Sequence, residues 1–188
     1  AGGVGGELIE ECAVGGEGLA GARRGDVHDA ATGLDCAHPG EGSLLQTDGK
    51  TYVLGEINLP QMTFERGALG GLGTLRGNVT IGSRTLADPD LHIIQPGNSP
   101  GTLTIDGDLT LYASTLAVEM NDGLAQDHLV VTGQLNLGEL KVVLVPYAGY
   151  LPDLDDRFDF LRVSGGISGI DGATPLVTVD ASALGGSW

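Results

Sequence analysis

The chain has 188 residues, 25 Asp plus Glu against 9 Lys plus Arg, a net charge of −16 and a pI near 4.2. That balance excludes nucleic-acid binding, because nothing would displace counterions from phosphates, and it argues against docking on anionic lipid. The length allows one domain, or one elongated unit with a cap. With 41% hydrophobic residues a core is affordable, and it must be aliphatic, because only three Phe and one Trp occur. Glycine reaches 33 residues, about two and a half times the usual ~7%, with no collagen-like period. Such a chain turns many tight corners.

Residues 1–50 are Gly- and Glu-rich with sparse apolar positions, and read as an N-terminal cap or arm. Cys12 and Cys36 lie there without C-x-x-C or zinc spacing. In an oxidising compartment they form one disulfide worth on the order of 3 kcal/mol in the chain-entropy picture; in a reducing one they are two buried thiols. The A-G-G start is what cleavage after a small-residue site leaves, so the chain is expected to be a mature secreted product or a fragment. The longest apolar stretch, Val142 to Val145, is strand-sized, so no membrane insertion is expected.

From Thr51 to Trp188 the pattern is that of strands. Thr51–Leu59 is a strand pair kinked at Gly55, Thr63-Phe64 adds to it, and Gly67–Gly73 is a corner. Thr74–Ile81 and Leu91–Ile94 follow. Then a turn, Q-P-G-N-S-P-G, leads into three alternating strands ending near Val118. Asp127–Gly133 and Leu135–Val145 continue the series, F-D-F-L-R-V places Phe158 and Phe160 on one face, and P-L-V-T-V-D is the last strand. Leu75, Val79, Ile81, Ile93, Leu103, Ile105, Leu109, Leu111, Leu116, Val118, Leu129, Val131, Leu135 and Leu137 sit at period-two positions. Their partners are polar, which is the code of strands with one buried face. Strands of three to five residues separated by Gly, Asn or Asp fit an all-β fold: a short right-handed parallel β-helix over about residues 51–180.

The segments G-T-L-R-G-N-V-T-I, I-Q-P-G-N-S-P-G-T-L-T-I-D-G-D-L-T-L, D-H-L-V-V-T-G-Q-L-N-L-G-E-L-K-V-V-L and P-Y-A-G-Y-L-P-D-L-D-D-R-F-D-F-L-R-V-S-G-G-I-S-G span residues 70–169. In them the chain resembles the passenger β-helix of autotransporter-type proteins and related secreted bacterial repeat proteins. The resemblance implies an extracellular or bacterial cell-surface setting and roles in adhesion, scaffolding or polymers. Two departures stand out: no translocator-barrel strands follow within these residues, and passengers of the family are usually much longer.

Chemistry-bearing residues are scattered. Asp106, Asp108, Glu119, Asp122, Asp127, His128 and Arg84 are the set a polysaccharide-degrading enzyme would draw on. Asp106-Gly107-Asp108 also reads as a turn, and Asp127 stands at a position the resemblance marks as structural. His28, His38, His92 and His128 form no metal-binding pair and read as surface groups, and Ser99 lies in no nucleophile elbow. Asp153-Leu154-Asp155-Asp156 and Asp88-Pro89-Asp90 could offer oxygen ligands to calcium, the one cofactor worth carrying, although neither matches a known calcium loop. Asn78-Val79-Thr80 fits the N-glycosylation pattern from within a strand, and Tyr147, Tyr150 and Trp188 could form an aromatic contact surface. The sequence thus predicts no enzyme and no bound cofactor. It predicts a secreted structural protein that self-assembles head to tail through open strand edges into fibres or a surface layer. The alternatives are a monomeric adhesin that contacts surface glycans, and a polysaccharide-degrading enzyme.

Overall fold

The computed structural model describes residues 27–35 as backbone, and residues 42–97, 100–121, 126–153 and 156–184 in full. Cys12 and Cys36, and with them the expected disulfide, lie outside the described residues, as do His38, Ser99, Asp122, Leu154, Asp155 and Trp188. Among the described residues there is no α-helix, only 3-10 turns at Pro89–Leu91, Ile170–Gly172 and Ser182–Leu184.

Thirteen strands form one sheet. They are β1 (Val27–Asp35), β2 (Ser43–Val53), β3 (Glu56–Phe64), β4 (Gly67–Gly71), β5 (Thr74–Ile81), β6 (His92–Pro96), β7 (Thr102–Asp106), β8 (Leu109–Met120), β9 (His128–Val131), β10 (Leu135–Pro146), β11 (Leu161–Val163), β12 (Ile167–Gly169) and β13 (Leu176–Asp180). Every pair is parallel except β1 on β2.

The expected right-handed parallel β-helix is corrected here. The hydrogen-bonded order β2-β3-β5-β8-β6-β4 returns to β2, because β5 also pairs with β8 at Val79–Leu109, Thr80–Thr110 and Ile81–Leu111. Six parallel strands therefore make a closed, barrel-like ring, with β7, β9 and β11 added on one side and β10, β12 and β13 on another. The misreading has a physical cause. Period-two burial reports which side chains face inward, and that code is the same in an open coil and in a closed ring. Closure depends instead on strands long enough to change partner along their length. β2 has 11 residues and pairs with β3 at 43–46 and with β4 at 50–53. β8 and β10 have 12 each, where the sequence suggested three to five. Gly67–Gly71 is likewise a strand and not a corner. β2 also runs through the 50/51 boundary drawn from composition.

Inward side chains merge into one aliphatic cluster, from Leu44 and Val53 through Leu75, Leu109 and Leu116 to Leu140 and Val142. Phe158 and Phe160 pack against it. Of the predicted inward set only Ile93 is misplaced. His92 and Ile94 face the core instead, so this strand sits one residue out of the expected frame. Adjacent apolar residues at 93 and 94 fit either frame, and a one-residue slip exchanges the faces. His92, expected at the surface, is 1% exposed, and its Nδ1 hydrogen-bonds the Ala113 carbonyl at 2.6 Å. A second buried polar group lies in β2. Thr51 Oγ1 donates to Gln46 Oε1 at 2.5 Å, and Gln46 Nε2 donates to the carbonyls of Gly49 and Arg66 at 3.1 and 2.7 Å. Burial of the amide is thereby matched by hydrogen bonds.

Candidate functional site

The turn leaving β6 is built around a carboxylate. Asp127 is 2% exposed, and its two oxygens are divided between two backbone donors. Oδ1 accepts from Gly101 N and Oδ2 from Glu119 N, both at 3.0 Å. Gly97 has φ +91°, and a Cβ there would overlap Asp127 Oδ1. Only glycine meets both demands, the positive φ and the close approach. Burial pushes the Asp127 carboxyl above the usual carboxylate range, against the two backbone hydrogen bonds, which favour the charged form.

Asp127 forms part of the wall of a cleft of about 220 Å³ shared with Tyr52, Gln95, Pro96, Gly97, Ala117, Glu119 and Val145. β2 supplies Tyr52, whose ring lies along bare backbone: a Cβ at Gly70 would stand 3.2 Å from Tyr52 Cε1. The Tyr52 hydroxyl reaches Gln95 Oε1 on β6 at 3.4 Å. Glu119 comes from the end of β8, at a half-buried position.

Of the described residues an enzyme would draw on, only Glu119 and Asp127 line this cleft. Asp106 is tied up elsewhere: Oδ2 pairs with Arg76 at 2.6 Å and Oδ1 accepts from Thr132 at 2.9 Å. Asp108 Oδ1 accepts from Gln134 N at 2.8 Å, a donor 26 positions along the chain and not in its own turn. Arg84 pairs with Asp171 and lies 5.7 Å from the centre of the Tyr112 ring, at a separate shallow depression. Among the described residues of this cleft no second carboxylate with free oxygens faces Glu119, because the Asp127 oxygens are both occupied by backbone N–H groups.

Three carboxylates of the acidic loops, those of Asp88, Asp90 and Asp156, have partners within the chain. Asp88 Oδ1 accepts from Asp90 N at 3.0 Å, and Asp90 Oδ1 accepts from Lys141 Nζ at 3.1 Å. That ammonium also holds the Asp90 carboxyl below the usual range. The Lys141 ammonium is therefore the cation that meets the Asp90 carboxylate. In the other loop Asp156 Oδ2 accepts from Asp153 N at 2.8 Å and from the Tyr150 hydroxyl. Among the described residues no group of three or more His, Cys, Asp or Glu is placed to hold a metal. Asn78 is exposed in β5, with Oδ1 accepting from Asp108 N at 3.2 Å. Tyr150 packs edge-on against Phe158, with ring centres 6.4 Å apart, while Tyr147 is exposed.

The second candidate is a surface. β13 lies beside β10 over Glu139–Val143 and has no other strand partner among the described residues. Its Leu176, Val177 and Val179 are 52%, 54% and 61% exposed, and Ile167 on neighbouring β12 is 58% exposed. Reading the sequence placed L-V-T-V-D as the last strand but missed Tyr52 and Gln95. The outward phase of Tyr52, between inward Thr51 and Val53, was the available signal.

Comparison with protein-family models, with curated proteins and with solved structures yields no match.

Proposed function

We propose that this protein is a non-catalytic structural subunit that associates with further copies of itself by strand addition. The observation that carries this reading is β13. Five residues, L-V-T-V-D, contain no Lys and no Pro, and their three aliphatic side chains are more than half exposed. Natural edge strands are usually blunted by charge, proline or cover; here the one charge, Asp180, stands at the end of the strand, and the four residues before it are a template for another strand. At the opposite end β1 pairs only with β2 among the described residues, so its outer edge is the complementary surface. Pairing β13 of one copy with β1 of the next is heterologous, and repeats into a filament where the rotation does not close. The resemblance carried by residues 70–169 suits an extracellular or cell-surface setting for such a polymer.

The test is sedimentation velocity and negative-stain microscopy over a concentration series, with Val177→Lys/Val179→Lys beside the natural chain. Concentration-dependent filaments that the double variant fails to form support the reading. Discrete monomers at every concentration and ionic strength defeat it.

A further inference from the structure

We propose that the cleft between Tyr52, Gln95, Glu119 and Asp127 binds a single pyranose ring of a glycan, neutral or amino-substituted and never uronic. This inference does not depend on self-assembly.

Size comes first. A cavity of about 220 Å³ is smaller than the roughly 300–1,000 Å³ of drug-sized pockets, and suits one small ring. Its chemistry is that of sugar recognition. Tyr52 supplies an aromatic platform for the C–H face of a ring, held by the close packing of Gly70 beneath it. Gln95 and Glu119 supply planar polar groups suited to paired hydroxyls. The Glu119 carboxylate has no hydrogen-bond partner among the described residues, so it is free to accept from a ligand. Asp127 acts differently. With each oxygen fixed by a backbone N–H it holds Gly101 and the Glu119 backbone in place at the cleft wall.

Charge then sets selectivity. Among the described residues two carboxylates line the cleft and no Lys, Arg or His does. A uronic acid would bring a third carboxylate into a partly desolvated space with no cation to meet it. An amino sugar would place an ammonium beside Glu119 and the Tyr52 ring, which attracts cations electrostatically.

The experiment is an amide chemical-shift titration of the full chain with methyl glucoside, glucosamine and glucuronic acid. Saturable shifts at Tyr52, Gln95, Gly97 and Glu119 are expected with the first two, in the millimolar range. Tyr52→Ala should abolish both, with far-UV circular dichroism confirming the fold. Tyr52→Phe should retain them. Glu119→Gln should weaken glucosamine about tenfold while sparing methyl glucoside. No saturable shift with any sugar overturns the proposal, as do binding of glucuronic acid equal to glucosamine and binding by the folded Tyr52→Ala chain.

Discussion

Replacing Asp127 by Ala removes the sole side-chain acceptor of two backbone donors, Gly101 N and Glu119 N. Leaving a buried donor unsatisfied costs about 1–3 kcal/mol. Gly101 is only half-buried, so water can reach part of the gap. The expected loss is therefore roughly 2–4 kcal/mol, or about 4–16 °C in Tm for a chain of this size. Asp127→Asn keeps one acceptor and turns an NH2 toward the other donor, so its loss should be about half as large. Urea unfolding of the three chains, followed by circular dichroism, measures the order. The pH dependence of the difference between the natural chain and Asp127→Asn tests the same site independently. Burial raises the folded carboxyl above its ordinary value of 3.8. Between those two values the folded chain holds the proton and the unfolded chain does not. Stability from this group is thus fully present below 3.8 and is lost as pH rises through the raised folded value. The advantage over Asp127→Asn should be greatest in acid and shrink with rising pH. Asp90, Asp156, Asp171 and Asp180 carry the opposite sign, being held low by Lys141, Tyr150, Arg84 and Ser182 respectively. They are present in both chains and cancel in the difference. A folded Asp127→Ala chain within about 0.5 kcal/mol of the natural one would refute the clamp.

Gly77 and Gly149 both have positive φ, +126° and +80°, yet a Cβ at Gly77 would overlap the Leu59 carbonyl oxygen, while at Gly149 it would meet nothing within 4 Å. Gly77→Ala should cost about 3 kcal/mol or more, and Gly149→Ala about 1 kcal/mol, by chemical denaturation; equal costs would contradict the close packing of β3 against β5. Thr51→Val leaves the buried Gln46 Oε1 without its donor and should cost about 1–3 kcal/mol in the same assay. With a net charge of −16, copies repel one another, so light scattering should show assembly rising as salt shortens the screening length from about 10 Å at 0.1 M to about 3 Å at 1 M. Assembly that weakens with salt would point to ion pairs and away from apolar strand contact.

The inward faces could be read from the sequence because burial imposes alternation. Leu103 and Ile105, Leu109 and Leu111, Leu135 and Leu137 all face the core as their spacing required. Partner choice could not be read. Nothing local to Val79–Ile81 says that β8 will lie beside it, and that pairing closes the ring. The burial of His92 was hidden because a histidine is admissible on either face, and the Ala113 carbonyl that accepts it stands 21 positions away. The partner of Asp108 was hidden too: D-G-D suggests a donor in the same turn, and the carboxylate takes Gln134 N, 26 positions away. The cleft could not be read, because Tyr52, Gln95 and Glu119 come from three different strands. The partner of Asp90 in Asp88-Pro89-Asp90 was hidden as well, because Lys141 lies 51 residues away.

The self-association of β13 is tested most directly by hydrogen–deuterium exchange of the amides of Leu176–Asp180, followed as protein concentration is raised. If a neighbouring copy adds a strand there, those amides should slow with concentration while the core amides of β5 and β8 stay constant, and Val177→Lys/Val179→Lys should remove the dependence. Exchange at β13 that stays fast at every concentration, including conditions where particles form, would contradict strand addition at this edge.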